Sequence, residues 1–288
     1  MAITRVKNKQ TSKPFLKWVG GKGRLLDQLL PYFLEARKDE GKYFEPFFGG
    51  GAAFFALAPV TGQINDVNKS LISAYNNVKS NVDSVIEELK LLEQEYLELD
   101  TEARKEYFYE RRRDYNQEPH ETIRKTSLLI FLNKTCFNGL YRENSKGGFN
   151  VPHGLHSNPT ICDEDNLQAT SKALKHVKIT NGSFEDAVSD AKKGDFVYFD
   201  PPYHPLSVTS SFTSYSVDGF NTDDQIKLKE LFDDLTKRGV KVALSNSDSD
   251  FINELYKDYK MVKISAARSI NSIGTKRGKI TELLVLNY

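Results

Sequence analysis

A chain of 288 residues, 39% apolar and 27% charged, has the makings of one large soluble domain, or of one domain carrying a sizeable insertion. No apolar run approaches the roughly 18 residues of a membrane span, and the N-terminus lacks the apolar core of a signal peptide, so a cytoplasmic protein with no membrane partner is expected. The formal net charge is only +1, yet residues 1–24 carry seven Lys or Arg and no acid, residues 263–280 carry five and no acid, and residues 81–100 carry seven acids against Lys90. That separation predicts one cationic face suited to phosphate, although basic tails and loops can also be merely solvated. The two cysteines, Cys136 and Cys162, fit a reducing compartment and cannot build a disulfide framework.

The segment Lys17-Trp18-Val19-Gly20-Gly21-Lys22 holds the only tryptophan. Its Gly-Gly-Lys has the wrong spacing for a phosphate loop, and Gly23 stands where Ser or Thr would hold magnesium, which removes ATP as a ligand. A helix follows, with Leu25, Leu26, Leu29 and Leu30 on a helical repeat before Pro31. Residues Tyr43 to Phe55 read as a short apolar strand, a turn at Gly49-Gly50-Gly51, and a helix of small and aromatic residues. In a doubly wound sheet such a turn lets a ligand approach the backbone at the strand's carboxyl end, while a tight structural turn also explains a glycine triplet taken alone. Gln63-Ile64-Asn65-Asp66 reads as a second strand, and an acid at that strand end typically accepts hydrogen bonds from ribose hydroxyls. The pattern is not G-x-G-x-x-G, so a nucleoside without a pyrophosphate fits better than NAD.

From Asn68 to about His176 the pattern changes. Residues 71–98 are helical by their spacing, as are roughly 121–133, and over a hundred residues is too long for a single crossover between adjacent strands. An inserted, mainly helical lobe over 68–176 is expected, with the sheet-forming domain divided between 1–67 and 177–288. Arg104, Lys105, Arg111, Arg112 and Arg113 are plausible phosphate partners within the lobe. The run Asn133 to Arg142, followed by Gly147 to Pro152, reads as an exposed loop with large side chains. Arg142 there is suited to a bidentate contact with guanine and Phe137 to wedging between bases, although Phe137 and Leu140 could equally anchor a local core. His153 and His156 with Cys162 are a remote zinc possibility, the five histidines show no convincing metal spacing, and no metal is expected.

The sheet then resumes with a strand at 177–180 leading to Asn181-Gly182-Ser183-Phe184, and with Phe196-Val197-Tyr198-Phe199. The latter delivers Asp200-Pro201-Pro202-Tyr203, which looks like a pocket for methylating an amine on a flat ring. The lone pair of such an amine is delocalised, and a carboxylate at Asp200 with a carbonyl of the rigid Pro-Pro segment could accept both N–H bonds and draw it back. Tyr203 would stack on the ring. A strand end followed by Pro-Pro and an aromatic can also be a simple terminator. After a Ser/Thr-rich loop with Phe212 and Tyr215, long enough to close over a substrate, the expected elements are a helix over 222–238 capped by Thr222, a strand over 240–244, a helix over 249–258, and strands over 261–264 and 283–286. This alternation describes an α/β sheet with ligands at the carboxyl ends of its strands.

Five ordered motifs carry a resemblance over about residues 14–287: Lys17 to Lys22, Phe47 to Gly51, Phe137 to Arg142, Phe149 to Pro152, and Asp200 to Tyr203. Together they resemble the Dam-like DNA adenine-N6 methyltransferases, a group that includes the DpnII-type modification enzymes acting on GATC. The order of cofactor turn, insertion and catalytic motif matches their alpha class. The resemblance implies a Rossmann-like, S-adenosylmethionine-dependent methyltransferase sheet with an inserted, mainly helical target-recognition domain. It implies catalysis at Asp200, Pro201, Pro202 and Tyr203, and a cofactor site using Trp18, Lys22, Phe47, Gly49, Gly51, Asp66, Ser183, Phe184 and Asp200. It further implies contacts to double-stranded DNA from Lys17, Arg111, Phe137, Asn138, Leu140, Arg142 and Pro152. Some relatives carry Tyr at the position of Phe137, so any hydrogen bond from that hydroxyl is lost here. A separately acting restriction endonuclease and a monomeric enzyme are expected. Same-fold enzymes acting on cytosine N4, RNA or a protein amide more often carry Ser-Pro-Pro or Asn-Pro-Pro, which Asp200 disfavours. A non-catalytic DNA-binding regulator is disfavoured by the intact Asp200–Tyr203 motif.

Overall fold

The computed structural model describes residues 12–39, 41–206, 219–266 and 280–288. Arg5, Lys7, Lys9, the loop with Phe212 and Tyr215, and Arg268, Lys276, Arg277 and Lys279 lie outside the described residues. The fold is mixed α/β, with seven strands and nine α-helices among the described residues. No described helix is long and apolar enough to cross a membrane. The chain divides into two compact units, one comprising residues 1–21, 49–58 and 68–181, the other 22–48, 59–67 and 182–288.

The second unit is built on six strands. These are β1 (Tyr43–Glu45), β2 (Gly62–Asp66), β4 (Phe196–Phe199), β5 (Lys241–Ser247), β6 (Lys260–Ala266) and β7 (Ile280–Leu286), in the order β2-β1-β4-β5-β7-β6. The first four pair in parallel, with Val197 opposite Val242, and β7 enters antiparallel to both β5 and β6. All four residues of β4 are buried, as expected for a parallel strand covered on both faces. Side chains alternate across the sheet, and the packing follows that period. Val197 and Phe199 join Leu228, Phe232 and Leu235 of helix α8 (Thr222–Lys237) in one apolar cluster. Phe196 and Tyr198 meet Phe33 of helix α1 (Leu26–Ala36), at ring centroid distances of 5.5 and 4.6 Å. The same period directs the next residue after Phe199, Asp200, toward the α1 side.

Two local expectations change here. Helix α1 runs through Pro31 instead of ending before it, because Leu29, Phe33 and Ala36 bury one face and packing outweighs the lost N–H. Helix α8 is capped by Asn221, not Thr222. The Asn221 side chain accepts from the N–H groups of Asp223 and Asp224, and the Asp224 carboxylate accepts from the Asn221 N–H, a reciprocal capping box. The short helix α9 (Asp250–Leu255) follows Ser249 as its cap.

The first unit is mainly helical: α2 (Ala52–Leu57), α3 (Lys69–Ser80), α4 (Val82–Leu97), α5 (Thr101–Gln117), α6 (Ile123–Thr135) and α7 (Glu164–Leu174), with the strand β3 (Val177–Asn181). The helical stretch expected over 71–98 is two helices broken at Asn81, whose φ of −136° leaves the helical region. Helix α6 is buried from Lys125 to Asn133 and packs against α3, α4 and α5, so it is the core of this unit. Lys125 is tolerated inside because its Nζ donates to the Tyr115 carbonyl and lies 3.9 Å from the Tyr115 ring centroid. Side-chain caps start four of these helices, at Asn68, Asp100, Thr122 and Asp163.

Candidate active site and nucleic-acid-reading loop

In the second unit, Asp200 leaves the carboxyl end of β4 and its carboxylate lies 2.7 Å from the Lys22 ammonium, which stands just before α1. Both side chains are largely withdrawn from solvent, Lys22 at 8% and Asp200 at 17% exposure, so the pair interacts in a medium less screening than water. Burial raises the Asp200 carboxyl above the usual aspartate range, Lys22 opposes that rise, and Glu282 adds to it. Lys22 also sits 4.7 Å from the Tyr203 ring centroid, and the Tyr203 hydroxyl donates to Glu282 at 2.7 Å. Burial, followed by the charge of Asp200, pushes the Tyr203 phenol well above its ordinary value, so its hydroxyl keeps its proton.

The turn between Asp200 and Tyr203 is fixed by a buried amide relay. Gln225 of α8 donates to the Pro202 carbonyl at 2.9 Å, Asn246 of β5 donates to Gln225 at 3.0 Å, and the Asn246 oxygen accepts from the His204 N–H at 3.0 Å. Pro202 thus commits its carbonyl to holding the turn in place.

Four further expected residues of this unit, Phe47, Phe184, Ser183 and Asp66, gather at neighbouring strand ends. Phe47, just past β1, stacks on Phe184 at 5.3 Å and 28°, and Phe220 meets both edge-on. Ser183 is exposed and its hydroxyl accepts from the Asp186 N–H. Asp66 is half-buried at the last position of β2. Asn65 beside it donates to the Pro46 and Gly182 carbonyls and accepts from the Phe48 N–H, fixing these turns to one another. A carboxylate that accepts hydrogen bonds, stacked phenyl rings and a buried ammonium are chemically compatible with a nucleoside bearing an amino-acid tail.

The first unit holds the remaining residues. Trp18 stacks on Tyr141 at 4.6 Å and 24°. Gly49 and Gly51 have φ of 48° and 69°, a conformation costly for any side-chain-bearing residue, and a Cβ on Gly49 would lie 3.1 Å from the Trp18 indole. After α6 the chain forms a short turn at Phe137–Gly139 and then a loop. There Phe137 is 51% exposed, Leu140 is 37% exposed, and Asn138 takes φ 56°. The backbone beneath is tied down, since the Phe137 N–H donates to the Pro152 carbonyl and the Asn150 N–H to the Arg142 carbonyl. Arg142 lies exposed with its Nε on the Asn150 side-chain oxygen at 2.7 Å. Lys17, Asn138 and Pro152 are exposed as well.

Arg111 is placed differently. Its guanidinium pairs with Glu110 and Asp114 on the same helix and lies 4.8 Å from the Tyr107 ring centroid. Of the other basic residues of α5, Arg104 donates to the Tyr96, Leu97 and Ser157 carbonyls and Arg112 to Val151, so these two brace the main chain. The zinc possibility separates into independent bonds: His153 to the Tyr96 hydroxyl, His156 to the Cys136 carbonyl and Cys162 to the Ile86 carbonyl.

Sequence reasoning missed Glu282, Gln225, Asn246, Asn65 and Phe220. The available signals were polar side chains inside apolar patterns, such as Asn246 within β5 and Glu282 opening β7.

A mixed sheet whose parallel strand β4 ends in an acid-proline turn, and a helical unit with an exposed loop bearing Phe137 and Arg142, accord with a group-transfer enzyme. The model of the D12 class N6 adenine-specific DNA methyltransferases matches residues 18–270, and the chain belongs to that family. It is 49% identical over 288 residues to the type II methyltransferase M.MjaIII of Methanocaldococcus jannaschii, covering 96% of this chain and 99% of that protein. It is 44% identical to the type II methyltransferase M1.LlaDCHI of Lactococcus lactis subsp. cremoris, covering 98% of each. With the DNA adenine methylase of Escherichia coli K12 it shares 33% identity, over 96% of this chain and 95% of that protein. The reaction class is therefore methyl transfer to the N6 amino group of adenine in DNA, which requires a methyl donor.

Proposed function

We propose that this enzyme takes its methyl group from S-adenosylmethionine and places it on an adenine extruded from double-stranded DNA, within the sequence GATC. The observation that carries the reading is the partly buried Lys22–Asp200–Tyr203–Glu282 cluster, which keeps a carboxylate and an aromatic face fixed at the end of β4. When bound, the cofactor supplies an electrophilic methyl on a sulfonium. Asp66, Phe47, Phe184, Ser183, Lys22 and Asp200 of the second unit have the chemistry to hold it. Trp18, Gly49 and Gly51 of the first unit are proposed cofactor residues by resemblance.

The chain's own part is to bind, orient and polarise the adenine. Asp200 and the Pro201 carbonyl accept the two N–H bonds of the amine, which localises its lone pair, and Tyr203 stacks on the base. The Pro202 carbonyl is already engaged by Gln225, which supports giving the accepting role to Pro201. No covalent enzyme intermediate is required: the amine lone pair would form the N–C bond as the donor's C–S bond breaks and sulfur keeps its electron pair, and the surplus amine proton would pass to water. Lys17, Leu140 and Arg142 read base edges, Asn138 lies near the extruded adenine, Phe137 fills or wedges the stack, and Pro152 and Arg111 contact the DNA. Residues 68–176 act as the target-recognition domain, and 1–67 with 177–288 as the catalytic one. We further infer a monomeric cytoplasmic enzyme acting alongside a separate restriction endonuclease, since two relatives carry type II methyltransferase names.

The test is transfer from labelled S-adenosylmethionine to duplexes containing GATC, GATT or GTTC, with identification of the modified base. N6-methyladenine in the GATC duplex alone is the expected result. Equal labelling of all three would discard the target sequence, and transfer only to single strands would discard extrusion from a duplex.

A further inference from the structure

Two segments assigned above to target reading are held together by one side chain in the first unit. Asn133, in the last turn of α6, is fully buried. Its Oδ1 accepts from the main-chain N–H of Lys17 at 2.8 Å, and its Nδ2 donates to the carbonyls of Lys17 at 2.9 Å and Gly139 at 3.0 Å. Both amide hydrogens are used, so the side chain cannot flip without leaving buried groups unpaired. One planar group therefore fixes both main-chain groups of Lys17 and the middle of the 137–142 loop. The stacking of Trp18 on Tyr141 repeats the link a little further along each segment. Gly139 provides the room, because a Cβ there would fall 2.4 Å from the Lys17 Cδ, at a backbone φ of 66°.

We propose that Asn133 is a specificity-determining positioning residue, which sets the offset between Lys17 and the Leu140–Arg142 segment so that they read adjacent base edges as one rigid unit. The inference rests on the assignment of those residues to base reading. Hydrogen bonds to base edges discriminate only when donor and acceptor meet within normal bonding distance and angle. Two readers on separately moving backbones would each adjust to a wrong base. Two readers on one amide cannot.

The experiment compares initial methylation rates of the full-length enzyme on GATC, GATT and GTTC duplexes for Asn133→Ala, Asn133→Ser and Gly139→Ala. Lys17→Ala and Arg142→Ala serve as controls, and thermal midpoint and S-adenosylmethionine affinity are measured alongside. The expected result is a fall of about tenfold in the preference for GATC, the size of one lost base-edge contact, with cofactor affinity unchanged. A purely structural role would lower all three rates by the same factor and leave the preference intact, which would overturn the proposal. If Asn133→Ala does not fold, Asn133→Ser decides the matter, because its hydroxyl keeps a polar group in the buried site but is too short and has too few donors to hold both Lys17 and Gly139. If Lys17→Ala and Arg142→Ala also keep the wild-type preference, the assignment of base reading to these residues has failed, whatever Asn133 does.

Discussion

The Asp200–Tyr203 turn and the Phe137–Arg142 loop solve opposite problems. At the turn the functional side chains themselves are half-buried and bonded: Asp200 to Lys22, and Tyr203 to Glu282 and beneath the Lys22 ammonium. In the loop the backbone is bonded, through Asn133, Pro152 and the Arg142–Asn150 pairing, while Phe137, Asn138, Leu140 and Arg142 point into solvent. Chemistry on an amine needs a carboxylate whose field and position do not relax as the reaction proceeds. Reading a sequence needs side chains that are free to be desolvated by the base they meet, on a backbone that does not move.

The largest effect expected from breaking this contrast is at Asp200. Asp200→Ala should lower transfer by at least about a hundredfold to a thousandfold, as removal of a preorganised polar group typically does. Its thermal midpoint should fall as well, since the largely buried Lys22 ammonium loses its partner, so the rate is compared on folded enzyme. A variant within threefold of wild type by initial rate would remove Asp200 from the chemistry. Next, Arg142→Ala should cost about 1–3 kcal/mol of discrimination against the wrong base while leaving the rate of the chemical step on GATC nearly intact. An unchanged preference profile across substituted duplexes would take Arg142 out of the reading set. Smaller still, Tyr203→Phe keeps the stacking face and loses the bond to Glu282, for an expected loss of about 0.5–1.5 kcal/mol in kcat/KM. A loss as large as that of Tyr203→Ala would mean that the hydroxyl, not the ring, carries the function.

The smallest effect, and the most specific, is on pH dependence. Asp200 accepts most strongly when ionised, and its carboxyl titrates above the usual aspartate range, so activity should fall on the acid side as pH drops through that raised value. Glu282 raises the Asp200 carboxyl and Lys22 lowers it, so Glu282→Gln should move the acid limb to lower pH and Lys22→Met to higher pH. Rate profiles under saturating substrate would show this directly. Shifts of the opposite sign would show that another group controls the limb.

The motifs were legible in the sequence because each breaks a local rule visibly: prolines at a strand end, three successive glycines, asparagines and aromatics after a long apolar helix. The partners that make them rigid were not, because each is distant in sequence and ordinary in its own setting. Asn133 continues a helix, Gln225 is one polar residue among many in the first turns of α8, and Glu282 lies near the start of β7, before its apolar run. Only the fold brings Glu282 to within 2.7 Å of the Tyr203 hydroxyl, 79 positions away. Propensity failed where packing outweighed it, as at Pro31 inside α1, and the cap of α8 falls one residue before the expected Thr222, at Asn221. The basic residues of α5 looked alike in the sequence, and only their partners separate Arg111, paired with acids, from Arg104 and Arg112, bonded to carbonyls.

The division of labour itself is tested most directly by single-turnover methylation of GATC and GATT duplexes by Asp200→Asn and Arg142→Ala, side by side with the unsubstituted enzyme. Asp200→Asn should slow both duplexes by the same factor and keep the preference, whereas Arg142→Ala should keep the GATC rate and lose the preference. A change of preference in Asp200→Asn, or an equal slowing of both duplexes in Arg142→Ala, would contradict it.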